Sequence, residues 1–186
     1  MRNLLIAISG PSGVGKGTIV KRLLEKDGYA LSVSCTTRGP RAGEVDGREY
    51  FFISKQEFLN LIDTGGLLEY SNHFENYYGT PKKFVEERLK THDVILEIEC
   101  DGALQVKKVH PEILLIMVVP PNKDELKRRL AGRGSESAEK IEKRLARMDY
   151  ELSQIDKYDY TVINDDLDVA VKEIENIIKR EKGADI

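Results

Sequence analysis

Gly10-Pro11-Ser12-Gly13-Val14-Gly15-Lys16-Gly17-Thr18 follows a short apolar run, Leu4–Ser9, and leads into Ile19, Val20, Leu23 and Leu24 at helical spacing. Strand, glycine loop and helix in that order have the spacing of a P-loop. Glycines let the main chain wrap until successive N–H groups converge on phosphate oxygens, and the first turn of the helix adds the positive end of its dipole. Lys16 supplies a mobile cation for the β- and γ-phosphates. Gly10 through Thr18 are therefore expected to hold a nucleotide phosphate chain. One position departs from the usual pattern: the hydroxyl residue that normally follows the lysine and touches Mg²⁺ is Gly17, with Thr18 one place late. The cradle is built from main chain and survives that change. A direct metal ligand from this loop is not expected.

Outward from the loop, further nearly continuous apolar runs occur at Tyr29–Val33, Val94–Ile98, Ile113–Val119 and Tyr160–Ile163. Such runs suit parallel strands buried on both faces. Helical patterns lie between them. Ile141, Leu145, Met148, Leu152 and Ile155 step along one face, and 166–182 reads as a closing helix. The alternation predicts an α/β fold, a doubly wound sheet of five parallel strands. Two stretches break the rhythm. Residues 35–80, rich in Gly, Tyr and Thr, read as an inserted α+β lobe with strand-like pieces at Arg48–Ile53 and Leu67–His73 and a helix over Lys55–Thr64. Ala131-Gly132-Arg133-Gly134-Ser135-Glu136-Ser137 reads as the tip of a hinged lid between helices. The expected core is thus 1–34, 81–130 and 138–186, the lobe 35–80 and the lid tip 131–137.

A net charge of −3 argues against a broad nucleic-acid-binding face. From Pro120 to Tyr150, however, nine Lys/Arg oppose six Asp/Glu, a local excess suited to small polyanions. Two cysteines, Cys35 and Cys100, make no disulfide framework, and the first apolar run is too short for a signal-peptide core or a membrane span. A cytoplasmic monomer or homodimer with no membrane association is the expectation. His73, His92 and His110 have no metal-ligand spacing.

The lobe opens with Ser34-Cys35-Thr36-Thr37-Arg38-Gly39-Pro40-Arg41-Ala42-Gly43-Glu44 and continues with Gly47-Arg48-Glu49-Tyr50-Phe51-Phe52, Glu69 and Asn76-Tyr77-Tyr78-Gly79-Thr80. Two arginines three apart beside tyrosines suit forked hydrogen bonds to a phosphate. Together with the P-loop, the Arg-Leu-Ala-Gly-Arg-Gly stretch ending at Gly134 and Asn164-Asp165-Asp166, these strings closely resemble the guanylate kinase family along essentially the whole chain. The resemblance implies transfer of the γ-phosphoryl of ATP to GMP, and to dGMP, with Mg²⁺ bound to ATP. It implies that Arg38, Arg41, Tyr50 and Tyr78 hold the GMP phosphate and that Ser34, Glu69, Thr80 and Glu99 surround the guanine. Arg133 and Arg144 would close over the ATP phosphates, and Asn164-Asp165 would line the adenine pocket. Asp101, where many relatives carry Gln, receives no role.

Glu97 and Glu99, two apart on an otherwise apolar strand, are expected to face one side, and burying like charges there is costly without cations to meet them. They are candidates for holding Mg²⁺ waters, with no protein side chain as a direct ligand. Lys140 and Arg147 share the helix face of Arg144 and are equally consistent with a solvated basic stripe. No general base is required, because a phosphate monoester with a second pKa of about 6 is already an anionic nucleophile at neutral pH. Charge repulsion, alignment and competing water are the obstacles to in-line transfer. Lys16, Arg38, Arg41, Arg133 and Arg144 form the expected catalytic set. Two alternatives stand beside this reading: a P-loop kinase for another nucleoside monophosphate, and a related protein-binding module without catalysis.

Overall fold

The structure, a computed structural model, describes residues 2–73, 75–131 and 146–183. Its core is a five-stranded, wholly parallel sheet in the order β2 (Tyr29–Leu31), β7 (Asp93–Glu97), β1 (Leu5–Ser9), β8 (Leu114–Val119), β9 (Tyr160–Ile163). Period-two alternation divides each strand between the two faces. Ile6, Ile8, Ile95 and Ile116 pack on one side against α1 (Lys16–Leu24) and α7 (Leu167–Glu181). Leu5, Ala7, Val94, Leu96 and Leu115 pack on the other against α3 (Lys82–Arg88) and α4 (Cys100–Val109). Burying each large aliphatic side chain contributes roughly 1.5–3 kcal/mol, so both layers are needed to hold the sheet. The doubly wound core is as expected, with β1, β2 and β8 trimmed by one or two residues, β7 shifted to start at Asp93 and β9 unchanged.

Helix starts follow local chemistry. Asp166 caps α7 by accepting from Asp168 N and Val169 N at 2.9 and 3.0 Å. Ser54 and Glu57 form a reciprocal capping box on α2 (Lys55–Asp63). Helix α1 has no side-chain cap, which leaves its first amides to the glycine loop and whatever that loop binds.

A second sheet, in the order β4 (Phe51–Phe52), β3 (Cys35–Thr36), β6 (Asn76–Pro81), β5 (Leu67–His73), carries α2 and forms the lobe. Strand β3 runs antiparallel to β6 and parallel to β4. The strand expected over Arg48–Ile53 is only Phe51–Phe52, because 46–50 is a turn closed by Gly47 N donating to Tyr50 O and Phe52 N donating to Asp46 Oδ1. The Gln105 side chain of α4 brackets the Tyr70 main chain, accepting from its N and donating to its O, both at 3.2 Å. A core helix thereby docks the lobe.

Helix α5 (Lys123–Ala131) precedes the expected lid, and α6 is described over residues 146–152. Met148 shares a face with Leu152 as expected and packs on Leu126, but α6 ends before Ile155, which sits in a 3₁₀ turn. The Ser153 hydroxyl donates to Tyr150 O at 2.6 Å and so occupies one of the last helical carbonyls. Arg133, Lys140, Ile141, Arg144 and Leu145 lie outside the described residues.

Candidate active site

The P-loop connects the end of β1 to α1. Gly15 sits at φ 98°, a left-handed conformation open to glycine, and a Cβ there would lie 2.5 Å from Asn164 Nδ2. Asn164, at the end of β9, is buried and donates to Val14 O at 2.7 Å. Its side chain braces the loop from beneath. Val14 likewise points into the core and offers a ligand only its main chain. The Lys16 ammonium folds back to donate to Gly10 O and, at 3.3 Å, to Pro11 O. Burial depresses its pKa, while Glu151, Glu97 and Glu99 pull it back up.

A cavity of about 500 Å³, within the range of small-molecule sites, lies between the lobe and the C-terminal end of the core sheet. Seven of the eight expected acceptor residues line it: Ser34, Arg38, Arg41, Tyr50, Glu69, Tyr78 and Glu99. Thr80 differs. It is fully buried behind the wall, and its hydroxyl donates to Glu69 Oε1 at 2.6 Å. A hydroxyl has one proton, so Thr80 orients Glu69 and does not donate to a ligand at the same time. Glu69 itself is 8% exposed. Burial raises its pKa, the Thr80 bond opposes that shift and the Glu99 charge adds to it.

Arg38 is held at the cavity edge by a two-pronged pair with Glu44, at 2.7 and 2.8 Å, and lies over the Tyr50 ring at 5.3 Å. The Arg38 bond holds the Glu44 carboxyl down at about 2, helped by the Arg41 main-chain N–H at 2.7 Å. Glu44 is thus a supporting residue that sequence reading quoted but gave no role. Gly102 is another. A Cβ on it would lie 2.9 Å from Glu69 Oε2, so the first turn of α4 must be bare to admit that carboxylate. A glycine at a helix start was the only available signal.

A smaller cavity of about 280 Å³ is lined by Gly10, Ser12, Lys16, Glu97, Ile98, Glu99, Arg147 and Glu151. It shares Glu97, Ile98, Glu99 and Arg147 with the larger one. Glu97 and Glu99 do reach one junction, although not as neighbours on a strand: β7 stops at Glu97 and Glu99 is the N-cap residue of α4. Both are exposed by surface area, yet partial burial still raises the Glu97 pKa and the Lys16 charge opposes that shift. Asp101, unassigned from sequence, accepts from Arg147 Nη2 at 2.7 Å and from the Tyr150 hydroxyl at 2.6 Å. Among the described residues no group of three or more His, Cys, Asp or Glu could hold a metal ion. A Cβ on Gly17 would lie 3.4 Å from Glu97 Oε1, so this stretch offers a carboxylate and no hydroxyl. No described helix is long and apolar enough to cross a membrane.

These features coincide with relatives of known kind. A model of the guanylate kinase family matches residues 1–181. A guanylate kinase of Clostridioides difficile is 52% identical over 98% of this chain and 90% of its own length. One from Caldanaerobacter subterraneus is 51% identical over 97% of this chain and 89% of its own. The crystal structure of guanylate kinase from Anaplasma phagocytophilum superposes with a TM-score of 0.73 at 30% identity, covering 97% of this chain and 86% of that one. With a P-loop on one side of a cleft and a carboxylate-floored, arginine-edged cavity on the other, the chain belongs to the guanylate kinase family.

Proposed function

We propose that the protein transfers the γ-phosphoryl group of ATP to GMP, and to dGMP, giving ADP and the nucleoside diphosphate. The observation that carries this reading is the pairing of Glu69, buried and oriented by Thr80, with Arg38 and Arg41 at the other side of one cavity. Guanine presents N1–H and a 2-amino group on one edge. An ionised carboxylate accepts from both, whereas adenine offers an unprotonated N1 there. The Ser34 hydroxyl is available to the guanine O6, a role in which Thr80 is preceded by its bond to Glu69. Arg38, Arg41, Tyr50 and Tyr78 receive the phosphate.

On the donor side the P-loop amides cradle the phosphate chain, and Lys16 leaves its carbonyl partners for the β- and γ-phosphates. Mg²⁺ brought with ATP would be held by phosphate oxygens and waters, with Glu97 and Glu99 as acceptors for those waters. When bound it neutralises charge on the transferring group. A GMP oxygen forms the new bond to phosphorus as the bridging bond to the leaving ADP breaks, and no proton needs to be removed first. Arg133 and Arg144 would complete the charge around the transferred group. On this reading it is a cytoplasmic enzyme whose partners are the two nucleotides. The test is incubation with ATP, Mg²⁺ and each nucleoside monophosphate separately, with ADP as readout. ADP release confined to guanine nucleotides supports the proposal. Equal turnover of AMP sinks it, and no turnover with any of them favours a binding module.

A further inference from the structure

Both cavities share one described cation. Arg38 and Arg41 line only the larger, and Lys16 lines only the smaller, but Arg147 lines both. Its surroundings are strongly acidic: Asp101 at 2.7 Å, Glu99 at 3.6 Å and Glu151 at 3.6 Å. Glu151 is 4% exposed, lines the P-loop cavity and has an Oε2 with no hydrogen-bond partner among the described residues. With Glu97 the junction holds four carboxylates within the reach of two cations, Lys16 and Arg147. Into that excess of negative charge the proposed reaction brings two polyanions. A cation fixed at the junction is what the electrostatics require.

Arg147 is also built to stay there. Its guanidinium lies 4.9 Å over the Tyr150 ring, and the Tyr150 hydroxyl donates to the same Asp101 that accepts from Arg147. Asp101 belongs to α4, whereas Arg147 and Tyr150 belong to α6, so the cluster ties α6 to the floor of the acceptor cavity. Of the five N–H donors of a guanidinium, only the one to Asp101 is at hydrogen-bond distance of a described partner, and both carboxylates at 3.6 Å are beyond it. The group can keep its Asp101 tether and still offer donors to a phosphate oxygen.

We infer that Arg147 is a further phosphate-contacting residue of this site, held by Asp101 and Tyr150 where acceptor and donor phosphates meet, so that it stabilises the transferring group as the new phosphorus–oxygen bond forms and the bond to ADP breaks. This rests on the kinase reading above. A cation used mainly in the transition state lowers kcat and kcat/KM together when removed, with little change in KM. Because its side chain is 42% exposed, the effect should be smaller than for a fully enclosed donor.

The experiment is steady-state kinetics with ATP, Mg²⁺ and GMP on wild type, Arg147→Met and Arg147→Lys, with thermal melting of each. Arg147→Met should lose about 10- to 100-fold in kcat with KM for both nucleotides within about threefold, and Arg147→Lys should recover most of the loss. Arg147→Gln, which keeps a donor for Asp101 without the charge, is the second neutral variant should Met melt early. A neutral variant within about twofold of wild-type kcat overturns the inference. So does a loss that Lys fails to recover and that follows the drop in melting temperature, since that is how a structural brace behaves. Wild type inactive on GMP breaks the kinase reading itself, whereas active wild type with an indifferent Arg147→Gln breaks only this one.

Discussion

The two halves of the cleft are made of different material. The donor side is main chain: nine consecutive residues, Gly10 to Thr18, wrap a loop whose useful groups are amides, with one ammonium resting on the loop's own carbonyls. The acceptor side is side chain: residues from 34 to 102 converge from three strands, a turn and a helix, and each functional group has its own support. Arg38 leans on Glu44, Glu69 on Thr80 and on the bareness of Gly102. A main-chain site is open to damage by substitution chiefly at its one cation and at the glycines its backbone requires. A side-chain site can be weakened by degrees, through its supports as well as its contacts.

The largest effect should come from that one cation. Lys16→Ala should lower kcat by a factor on the order of 10³ or more, with GMP affinity nearly unchanged, because the lysine is proposed to meet only the donor phosphates. Stopped-flow binding of GMP alongside turnover separates the two, and near-normal kcat would remove the contrast between the halves. On the other side, GMP should be preferred to AMP by at least about 10³ in kcat/KM, and Glu69→Ala should erase about 2–4 kcal/mol of that preference, mainly by weakening GMP. An unchanged ratio in the variant would mean that Glu69 does not read the base.

Supports should matter less than contacts. Glu44→Gln leaves every proposed ligand in place but removes the charge that aims Arg38. KM for GMP should rise about 5- to 10-fold with kcat within about threefold. Because the Arg38 bond holds Glu44 down at about 2, the pair stays charged down to about that pH, and its contribution to stability, full above the ordinary carboxylate pKa of about 4.3, is lost as pH falls from there through about 2. Binding at any milder pH should therefore show no titration from this group.

The smallest effect should have the opposite sign. Burial raises the Glu69 pKa, so the folded protein favours its protonated form. That preference is fully present below the unfolded value of about 4.3 and is lost as pH rises through the raised folded value. At neutral pH without ligand, the ionised group is then a liability. Glu69→Gln, which can still accept from Thr80, should gain on the order of 1 kcal/mol, roughly 2–4 °C in Tm, while losing GMP use. The two proteins should converge in stability under acid. A Gln variant that melts lower at pH 7 would contradict the idea that this carboxylate is kept for function at a cost.

The same contrast explains what could be read from sequence. The P-loop is contiguous, and its glycines are required by backbone geometry, so nine letters suffice. Core strands announce themselves because both faces are buried. Lobe residues were found through long strings of resemblance, since single arginines and tyrosines on a surface have no period to betray them. Partners set by tertiary approach were not legible. Thr80 points at Glu69, Asn164 lies beneath Gly15, and Asp101 meets Arg147 across 46 residues, none of which leaves a local trace. Glu97 and Glu99 reach one junction although β7 stops at Glu97, and nothing in alternating letters shows where that strand ends.

The bond between Asn164 and Val14 O joins groups 150 residues apart. During synthesis the phosphate loop emerges well before the amide that braces it. At ordinary elongation rates that interval is roughly 10–30 s. Through it the nascent chain carries a glycine-rich loop whose shape is not yet enforced, and a nucleotide would find a looser grip than in the finished protein. Docking of β9 then brings Asn164 beneath the loop and fixes its shape.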